Sequence, residues 1–503
     1  MQDNSQSALD ADRRRRELAD LAEHPEVDVL VVGGGVTGVG TALDAASRGL
    51  RTVLVDKHDL AFGTSRWSSK LAHGGLRYLA SGNVGIARES AVERGILMTR
   101  TAPHLVRALP QLVPLLPSVG AFEKTLVRVG FLAGDALRAT ARTPSSVLPR
   151  SRRVGAERAA QLAPTVRRDG LRGGLLAYDG QLVDDARLVV ALARTAAAHG
   201  ATILTRVGAY DVTGDSARLR DELTGEETTI RARAVVNAAG VWAGAVDPDI
   251  RLKPSRGTHL VLPAPLLGNP TAALTVPIPG ATNRFVFALP AQLGRVYLGL
   301  TDEAVDGAIP DVPVASDGEI DFLLDTVNTA LATPVTRADV LGTFAGLRPL
   351  LDTGGGATAD LSRNHAVLRS STGVISVVGG KLTTYRKMAQ DAVDAAIAAG
   401  GLTARPCVTA DLPAVGADRS APRNLPPTLV ARYGSEAGLV AAAGALTPVA
   451  DGIDVTHAEL AFAVSHEGAL DVDDLLDRRT RIGLVAEDRE RALPAAERAL
   501  AGR

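Results

Sequence analysis

Cysteine is almost absent from this chain of 503 residues, which has Cys407 alone. One cysteine excludes a disulfide within the chain, a zinc cluster built on cysteines and a cysteine-ligated iron–sulfur cluster. We therefore expect no metal site, and the low cysteine content fits a reducing compartment. Lysine is also scarce, with 6 lysines against 49 arginines, so an arginine at any one position is weak evidence of function.

A strong net charge and a long apolar run are missing as well. The net charge is −1, so the overall charge does not indicate a protein that binds nucleic acid. No segment reaches the ~20 apolar residues of a membrane-spanning helix. Residues 1–24 are polar and lack the apolar stretch of a secretory signal. We expect them to form a polar tail, either frayed or a solvated helix, rather than a basic targeting arm.

The chain does contain a βαβ unit near its start. Residues 27–32 (VDVLVV) predict a buried parallel strand, residues 36–47 a helix, and residues 52–55 a second strand. The sequence Gly33-x-Gly35-x-x-Gly38 lies between the first strand and the helix, where backbone N–H groups can approach a pyrophosphate. Asp56 ends the second strand and can accept hydrogen bonds from a ribose. This motif alone does not separate FAD from NAD.

Two further motifs are rich in glycine and hydroxyl groups. Residues 63–79 (GTSRWSSKLAHGGLRYL) surround Lys70 with hydroxyls and favour a second anion-binding loop over a plain surface loop. Residues 377–386 (VVGGKLTTYR) place glycines, a lysine and threonines at a helix start, which suits an anionic or strongly polar ligand. Residues 235–242 (VVNAAGVW) predict a strand whose small residues can lie against a flat cofactor.

The remaining pattern predicts an α/β protein with an insertion. Helices are expected at residues 188–198 and 382–399, and strands at 202–207, 232–238 and 374–378. Short strands with Gly and Pro turns over residues 260–301 and 340–369 suggest an antiparallel sheet inserted into the α/β domain. Residues 425–500 are mostly of helical pattern and predict a small C-terminal helical domain.

Four stretches carry a resemblance to a known family. They are SSKLAHGGLRYL (68–79), LVDDARLV (182–189), GLRPLLD (346–352) and GGKLTTYRKMA (379–389). The chain resembles the FAD-dependent glycerol-3-phosphate dehydrogenases, of the glutathione-reductase-like, D-amino-acid-oxidase-related flavoprotein class. Related glycerophosphate oxidases share much of these motifs. The resemblance runs from about residue 27 to about residue 484.

The resemblance implies a fold, a domain plan and a reaction. The fold is a discontinuous FAD-binding Rossmann-like domain with an inserted antiparallel substrate-binding sheet and a C-terminal helical domain. The oxidoreductase region is expected over residues 25–407 and the helical domain over 408–503. Its FAD-binding segments are about 25–110, 175–245 and 345–400, and its substrate-binding segments about 111–174 and 246–344. The implied reaction oxidises sn-glycerol 3-phosphate to dihydroxyacetone phosphate, with a hydride passing from C2 to flavin N5 and electrons then passing to a quinone.

The family pattern also implies site residues. His259 is expected to take the C2 hydroxyl proton and Arg348 to stabilise the developing alkoxide. The substrate phosphate is expected to contact Arg77, Tyr78, Arg363 and Lys381. His73 is expected beside the flavin, although its role stays open. The full set of expected FAD-binding residues is Gly33, Gly35, Gly38, Asp56, Thr64, Ser65, Ser69, Lys70, Leu71, His73, Gly74, Val207, Ala238, Gly240, Gly379, Gly380, Leu382 and Thr383.

Several alternatives are open at this stage. A glycerophosphate oxidase would pass electrons to oxygen, and a flavin-binding module would have no catalysis. FAD is expected to bind non-covalently. Whether the protein forms a homodimer is left open. Residues 118–142 place Phe122, Leu126, Val129 and Leu132 at helical spacing, with Lys124, Arg128 and Arg138 among them. This helix either lies at a membrane interface or packs on its own domain. We therefore expect a cytoplasmic protein, and peripheral contact with the inner face of the cytoplasmic membrane is an open alternative.

Overall fold

The computed structural model describes residues 4–75, 83–117, 121–281, 284–352, 365–418 and 422–502. Its strands, in chain order, are β1 (Glu26–Val32), β2 (Thr52–Asp56), β3 (Leu71–Ala72), β4 (Val106–Pro114), β5 (Arg152–Val154), β6 (Gly174–Leu182), β7 (Thr202–Thr205), β8 (Val207–Tyr210), β9 (Ser216–Asp221), β10 (Glu227–Asn237), β11 (Ser255–Pro263), β12 (Ala273–Pro277), β13 (Phe285–Pro290), β14 (Arg295–Gly299), β15 (Glu303–Ala304), β16 (Gly342–Arg348), β17 (His365–Arg369) and β18 (Ile375–Gly379).

The α-helices in these ranges are α1 (Ala11–Glu23), α2 (Val36–Ser47), α3 (Val84–Ile96), α4 (Ala121–Thr140), α5 (Ala156–Leu162), α6 (Asp185–Ala198), α7 (Ala243–Val246), α8 (Asp317–Asn328), α9 (Tyr385–Gly400), α10 (Pro427–Tyr433), α11 (Ala437–Ala442), α12 (His457–His466) and α13 (Ala486–Ala501).

The first sheet has the order β17-β18-β10-β1-β2-β7, with β8 and β9 attached through β10. The strands β18, β10, β1, β2 and β7 run parallel to one another. Their apolar runs are buried on both faces, because α2, α6 and α9 cover one side of the sheet and the β8–β9 hairpin folds against the other. Because β1, β10 and β18 lie far apart in sequence, the predicted discontinuous dinucleotide-binding domain is confirmed.

The second sheet is the predicted insertion. Its order is β15-β11-β14-β13-β12-β4-β6-β3, with β16 on β11 and β5 on β6. Its pairs are antiparallel apart from β12 with β4. One face packs under α5 and α8 around a separate apolar core. The opposite face carries Phe344, on which His259 stacks, and packs against Leu71 and against Leu484 and Val485 of the C-terminal domain.

The N-terminal segment differs from the expected tail or solvated helix. Asp10 caps α1 by accepting the backbone N–H of Arg13 at 2.7 Å. Arg14 is buried against the first domain, where it pairs with Asp221 at 2.7 Å and donates to the carbonyl of Thr205 at 2.9 Å. The sequence could not indicate this anchoring, because both partners are roughly two hundred residues away.

A second correction concerns the strand predicted over residues 202–207. Arg206 has a left-handed φ of 57°, which ends β7 and starts β8 in a new direction. Its guanidinium reaches the C-terminal domain and contacts Asp474 at 2.8 Å. The break therefore places Val207 at the start of the β8–β9 hairpin rather than inside the parallel sheet.

The C-terminal domain is helical, as predicted, and packs around its own cores. Within the described residues, no helix is both long and apolar enough to cross a lipid bilayer. The helix expected over residues 118–142 is α4. It rests on its own domain through Val127 and Phe131, while Val129 and Leu132 are 57% and 50% exposed. Arg138 is buried and donates to the carbonyl of Thr143, so it does not belong to an outward basic face.

Candidate active site

The glycine motif forms a tight cradle at the carboxyl end of β1. Gly33 has a φ of 114°, and a Cβ atom there would lie 2.6 Å from the carbonyl oxygen of Ala238. A Cβ atom on Gly38 would overlap the carbonyl oxygen of Gly33, so the start of α2 can approach the loop only with glycine here. Gly35 is the N-cap residue of α2. These features fit a pyrophosphate at the helix N-terminus.

Asp56 stands beside this cradle at the end of β2. Its carboxylate accepts the backbone N–H groups of Gly34 at 2.6 Å and His58 at 2.7 Å. Burial raises the pKa of Asp56 to about 6, although both backbone hydrogen bonds oppose the shift. Gly34 and Asp56 thus fix a carboxylate where the adenosine ribose of a dinucleotide binds in this type of fold.

One loop, residues 63–75, connects the cradle to the second sheet. At its start the Ser65 hydroxyl accepts the backbone N–H of Val36, the first residue of α2, at 2.9 Å. Thr64 donates to the carbonyl of Leu347 at 2.6 Å, next to Arg348. Further along, Ser69 Oγ lies 2.8 Å from His259 Nε2. The loop thereby brings the predicted cofactor motif and the predicted catalytic residues into one site.

His259 lies on β11, fully buried, with its ring stacked on Phe344 of β16 at a centroid distance of 4.6 Å. On the other side, Gly299 of β14 leaves room for the ring, because a Cβ atom there would overlap it. Burial, assisted by the positive charges of Lys70 and Arg348, lowers the pKa of His259 well below its usual value. The imidazole is therefore neutral near pH 7 and has a lone pair available for a proton.

Arg348 ends β16 and shares a sheet face with His259. It lies opposite Ser255 in register, just as Phe344 lies opposite His259. Its guanidinium contacts Ser255 Oγ and Asp302 Oδ1 at 3.1 Å each and lies over Gly257, where a Cβ atom would overlap it. The predicted catalytic pair therefore shares one face of two adjacent strands, and the glycine between them lets the cation lie close to the sheet.

The side chain of Lys70 is paired within the protein. Its ammonium is buried, pairs with Asp185 at 2.9 Å and donates to the carbonyl of Arg66 at 2.8 Å. Burial lowers the pKa of Lys70, with the carboxylate of Asp185 opposing the shift. A contact between the Lys70 backbone and the cofactor stays a prediction.

His73 lies further along the same loop, with its side chain 45% exposed. Its Nδ1 atom is 3.0 Å from Asp179, which also accepts from Arg94 at 2.6 Å and from the backbone of Gly74 at 3.1 Å. Burial alone would raise the pKa of Asp179, but Arg94 and His73 outweigh it and hold that pKa below its usual value. The loop thus ends in a fixed carboxylate with an accessible imidazole.

The fourth motif lies at the carboxyl edge of the first sheet, the same edge as the glycine cradle. Gly379 and Gly380 have left-handed φ values of 75° and 72° after β18. Thr383 accepts the backbone N–H of His73 at 3.0 Å, so this turn lies against the second motif. Lys381 directly follows the two glycines, as the N-cap residue of the short turn Leu382–Thr384, and donates to Ser90 of α3 at 2.6 Å. Two motifs separated by some three hundred residues therefore meet at one place.

The other predicted residues have mixed positions. Ala238 and Gly240 follow β10 beside Gly33, while the Val207 and Leu71 side chains are buried in apolar cores, leaving their backbones for any cofactor contact. Leu382 is half-buried in the turn before α9. The predicted phosphate contacts Arg77, Tyr78 and Arg363 lie outside the described residues. Roles in binding for all of these residues stay predictions.

Two family models cover nearly the whole chain. A model described as FAD dependent oxidoreductase matches residues 28–386, and one described as the C-terminal domain of alpha-glycerophosphate oxidase matches residues 370–502. Glycerol-3-phosphate dehydrogenase 1 of Mycobacterium tuberculosis is 66% identical, with 98% of each chain covered. The chain belongs to the FAD-dependent glycerol-3-phosphate dehydrogenase family.

Solved structures agree with this family and fold. The glycerol-3-phosphate dehydrogenase of Bacillus halodurans, solved with FAD, has a TM-score of 0.74 and 27% identity over 98% of this chain and 94% of that one. The FAD-bound L-alpha-glycerophosphate oxidase of Mycoplasma pneumoniae has a TM-score of 0.59 at 17% identity, covering 77% of this chain and 98% of that one, and shows the fold alone. FAD is the family's cofactor, and the glycine cradle with Asp56 fits it.

Sequence reasoning missed several residues that shape the site. Asp185 fixes the middle of the 63–75 loop and Asp179 fixes its end, whereas Gly257 and Gly299 make room for Arg348 and His259. Asp185 lies within the LVDDARLV stretch that carried the family resemblance, so its motif was a usable signal. The two strand glycines also had a signal, since glycine inside a strand often marks a close approach.

Proposed function

We propose that this protein oxidises sn-glycerol 3-phosphate to dihydroxyacetone phosphate, with FAD as first electron acceptor and a membrane quinone as the second. The observation that carries the proposal is the 63–75 loop. It touches the glycine cradle through Ser65, His259 through Ser69 and the Lys381 turn through His73. One loop therefore contacts the proposed cofactor cradle, the proposed proton acceptor His259 and the turn that carries Lys381, the proposed cation for the substrate phosphate.

The residues divide the work of an alcohol oxidation. His259, neutral because of its burial, takes the proton of the C2 hydroxyl on the ring nitrogen that holds the lone pair. Ser69 and Phe344 orient that ring. Arg348 stabilises the negative charge that develops on the C2 oxygen. Bound FAD supplies the acceptor at N5 for the hydride that leaves C2, and quinone reoxidation completes the turnover.

The phosphate group provides the binding energy that selects this substrate. Lys381 sits at the Gly379–Gly380 turn, and Arg77, Tyr78 and Arg363 are the other proposed contacts. A lysine meets phosphate as a point charge, whereas an arginine can bind it with two hydrogen bonds. Because the phosphate does not react, these residues bind the substrate and the transition state alike.

The deciding experiment is an anaerobic titration of the purified yellow protein. Adding sn-glycerol 3-phosphate should bleach the flavin absorbance, and a soluble quinone should restore it. Glycerol, without the phosphate, is the matched control and should bleach it poorly. A flavin that stays oxidised with excess glycerol 3-phosphate would falsify the proposed reaction and favour a non-catalytic flavin-binding protein.

A second assay on the same preparation distinguishes dehydrogenase activity from oxidase activity. In air and without quinone, an oxidase forms hydrogen peroxide in proportion to the substrate oxidised. We expect little peroxide and a strong stimulation by quinone. Peroxide at full turnover would instead assign oxygen as the acceptor. Acid precipitation of the same protein should release all the flavin into solution, as expected for non-covalent FAD.

A further inference from the structure

Arg481 of the C-terminal domain reaches into the wall of the site. It is 1% exposed and has a left-handed φ of 63°. Its Nη2 atom donates to the carbonyl of Arg66 at 2.7 Å, and its Nη1 atom to the carbonyl of Asp477 at 2.6 Å. Its Nε atom lies 3.4 Å from Asp184. The guanidinium also lies 4.9 Å from the ring centre of Trp67.

The carbonyl of Arg66 is a shared anchor of the 63–75 loop. It accepts Arg481 from the C-terminal domain and the Lys70 ammonium from within the loop. Lys70 is in turn paired with Asp185, which accepts both the backbone N–H and the hydroxyl of Ser68 at 2.9 and 2.7 Å. Residues 66, 68 and 70 are thus all fixed by buried charges.

The residue between these anchors is the one that touches His259. Ser69 lies between Ser68 and Lys70, and its hydroxyl meets His259 Nε2 at 2.8 Å. A hydroxyl on a loop can orient an imidazole only if the loop itself is held to a fraction of an ångström. The charges around Arg66 supply that restraint.

Arg481 also restrains His259 from the opposite side. Its carbonyl accepts Arg295 of β14 at 2.9 Å, and Arg295 pairs further with Asp488 at 2.6 Å. The same strand ends at Gly299, which lies opposite His259 in register and against its ring. One residue of the C-terminal domain therefore contacts both the loop and the strand that enclose the imidazole.

We infer that Arg481 is a positioning residue for catalysis: it holds the 66–70 loop and β14 so that Ser69 and Gly299 fix the ring of His259. The C-terminal domain is then a part of the active-site framework and not only a neighbour of it. The kinetic side of this inference rests on the proposed function. The ordering of the loop by Arg481 does not, and it can be measured without substrate.

The experiment compares Arg481→Met and Arg481→Lys with Arg194→Met in the FAD-bound protein. Arg194 is a matched control, since it is also 1% exposed and joins α6 to the C-terminal domain through Glu436 at 2.6 Å. Its hydrogen bonds to Ser7 and Glu436 lie outside the 63–75 loop. Hydrogen–deuterium exchange of residues 63–75 is measured first, followed by kcat and KM for glycerol 3-phosphate.

We expect faster exchange of residues 63–75 in Arg481→Met and wild-type exchange there in Arg194→Met. At equal flavin content, kcat of Arg481→Met should fall about 10- to 100-fold with KM within about twofold, as a small misplacement of a catalytic group does. Arg481→Lys should show smaller changes in the same direction, because lysine keeps the positive charge but its ammonium cannot make all three contacts of the guanidinium.

Unchanged exchange in folded Arg481→Met would overturn the inference, as would an equal loss of kcat per flavin in Arg194→Met. If Arg481→Met does not fold, Arg481→Lys decides, and wild-type exchange in that variant overturns it. A wild-type protein that does not oxidise glycerol 3-phosphate would refute the proposed function, but the exchange comparison would still test the loop contact.

Discussion

His259 and Phe344, on adjacent antiparallel strands, stack with their ring planes only 9° apart. The stack fixes the plane of the imidazole, and the contact with Ser69 fixes its rotation within that plane. The ring is therefore oriented by two different elements, a strand of the inserted sheet and a loop of the first domain. This arrangement makes the imidazole a group whose chemistry can be tested by small changes to its neighbours.

Replacing His259 with Asn should lower kcat by about two to four orders of magnitude, as expected for loss of a general base. Ser69→Ala should cost less, because the ring remains and only its orientation loosens. In the wild type, the acidic limb of the pH profile should lie below pH 6.5, since burial lowers the pKa of His259. Steady-state kinetics across pH provides the measurement. Wild-type kcat in His259→Asn would redirect the search to His73, which is paired with Asp179.

Lys381→Ala and Arg363→Ala should each raise KM for glycerol 3-phosphate about 10- to 100-fold with kcat nearly unchanged. A hydrogen bond to a charged group contributes roughly 1.5–3 kcal/mol, and loss of uniform binding appears in KM. Lys387→Ala is the matched control, because that lysine pairs with Asp391 on its own helix. Neither phosphate variant should change the slow oxidation of glycerol. Unaltered KM in both would place the phosphate elsewhere.

Gly38→Ala should give a protein with little or no flavin, because the added methyl group overlaps the carbonyl of Gly33 and pushes α2 away from the cradle. Gly130→Ala is the control, since a Cβ atom on that helical glycine meets nothing within 4 Å. The ratio of flavin to protein absorbance gives the result. A fully yellow Gly38→Ala protein would contradict the assignment of the cradle.

FAD should bind more weakly as the pH falls through about 6, where Asp56 becomes protonated in the folded protein. The ionised carboxylate accepts hydrogen bonds from ribose hydroxyls, whereas the protonated one loses acceptor capacity. The shift also has a stability consequence. Because burial raises the pKa of Asp56 in the folded protein, the free energy of unfolding of the flavin-free protein should fall as the pH rises from the pKa of this carboxyl in the unfolded chain to about 6. Titration of flavin-free protein with FAD between pH 5 and pH 8 tests the first effect, and Asp56→Asn should flatten the dependence.

Helix α4 provides a test of membrane contact. Val129 and Leu132 are exposed apolar side chains on this helix, so Val129→Ser with Leu132→Ser should reduce binding to anionic phospholipid vesicles and leave turnover with a soluble acceptor intact. Leu223→Ser is the control, because that leucine is 58% exposed but lies in the turn before β10. Equal vesicle binding by the wild type and the double variant would remove α4 as a contact surface.

The parts of the fold that could be predicted are those coded by neighbouring residues. The β1–α2–β2 unit follows from an apolar run, glycines and helical spacing within thirty residues, and its observed bounds match the expected ones closely. The N-terminal helix shows the limit of this reasoning. A run of arginines predicts a solvent-exposed segment, and only the ion pair with the distant Asp221 explains why Arg14 is buried.

The same limit applies to the site. The family resemblance implies His259 and Arg348 as site residues, but their common sheet face depends on the register of β11 with β16, which the sequence does not encode locally. The hydroxyls around Lys70 in sequence predict an anion-binding loop. The ammonium of Lys70 pairs with Asp185, a carboxylate more than a hundred residues away, and the local pattern could not indicate this partner.

The discontinuity of the first sheet has a consequence for biosynthesis. Strand β18 lies between β10 and β17, so a nascent chain that has not yet reached Ile375 cannot close the sheet. Until then the free edge of β10 is open to pairing with other chains. The turn at Gly379 and Gly380, which we expect to contact the cofactor, emerges later still. We therefore expect the protein to bind FAD only after most of the polypeptide has left the ribosome.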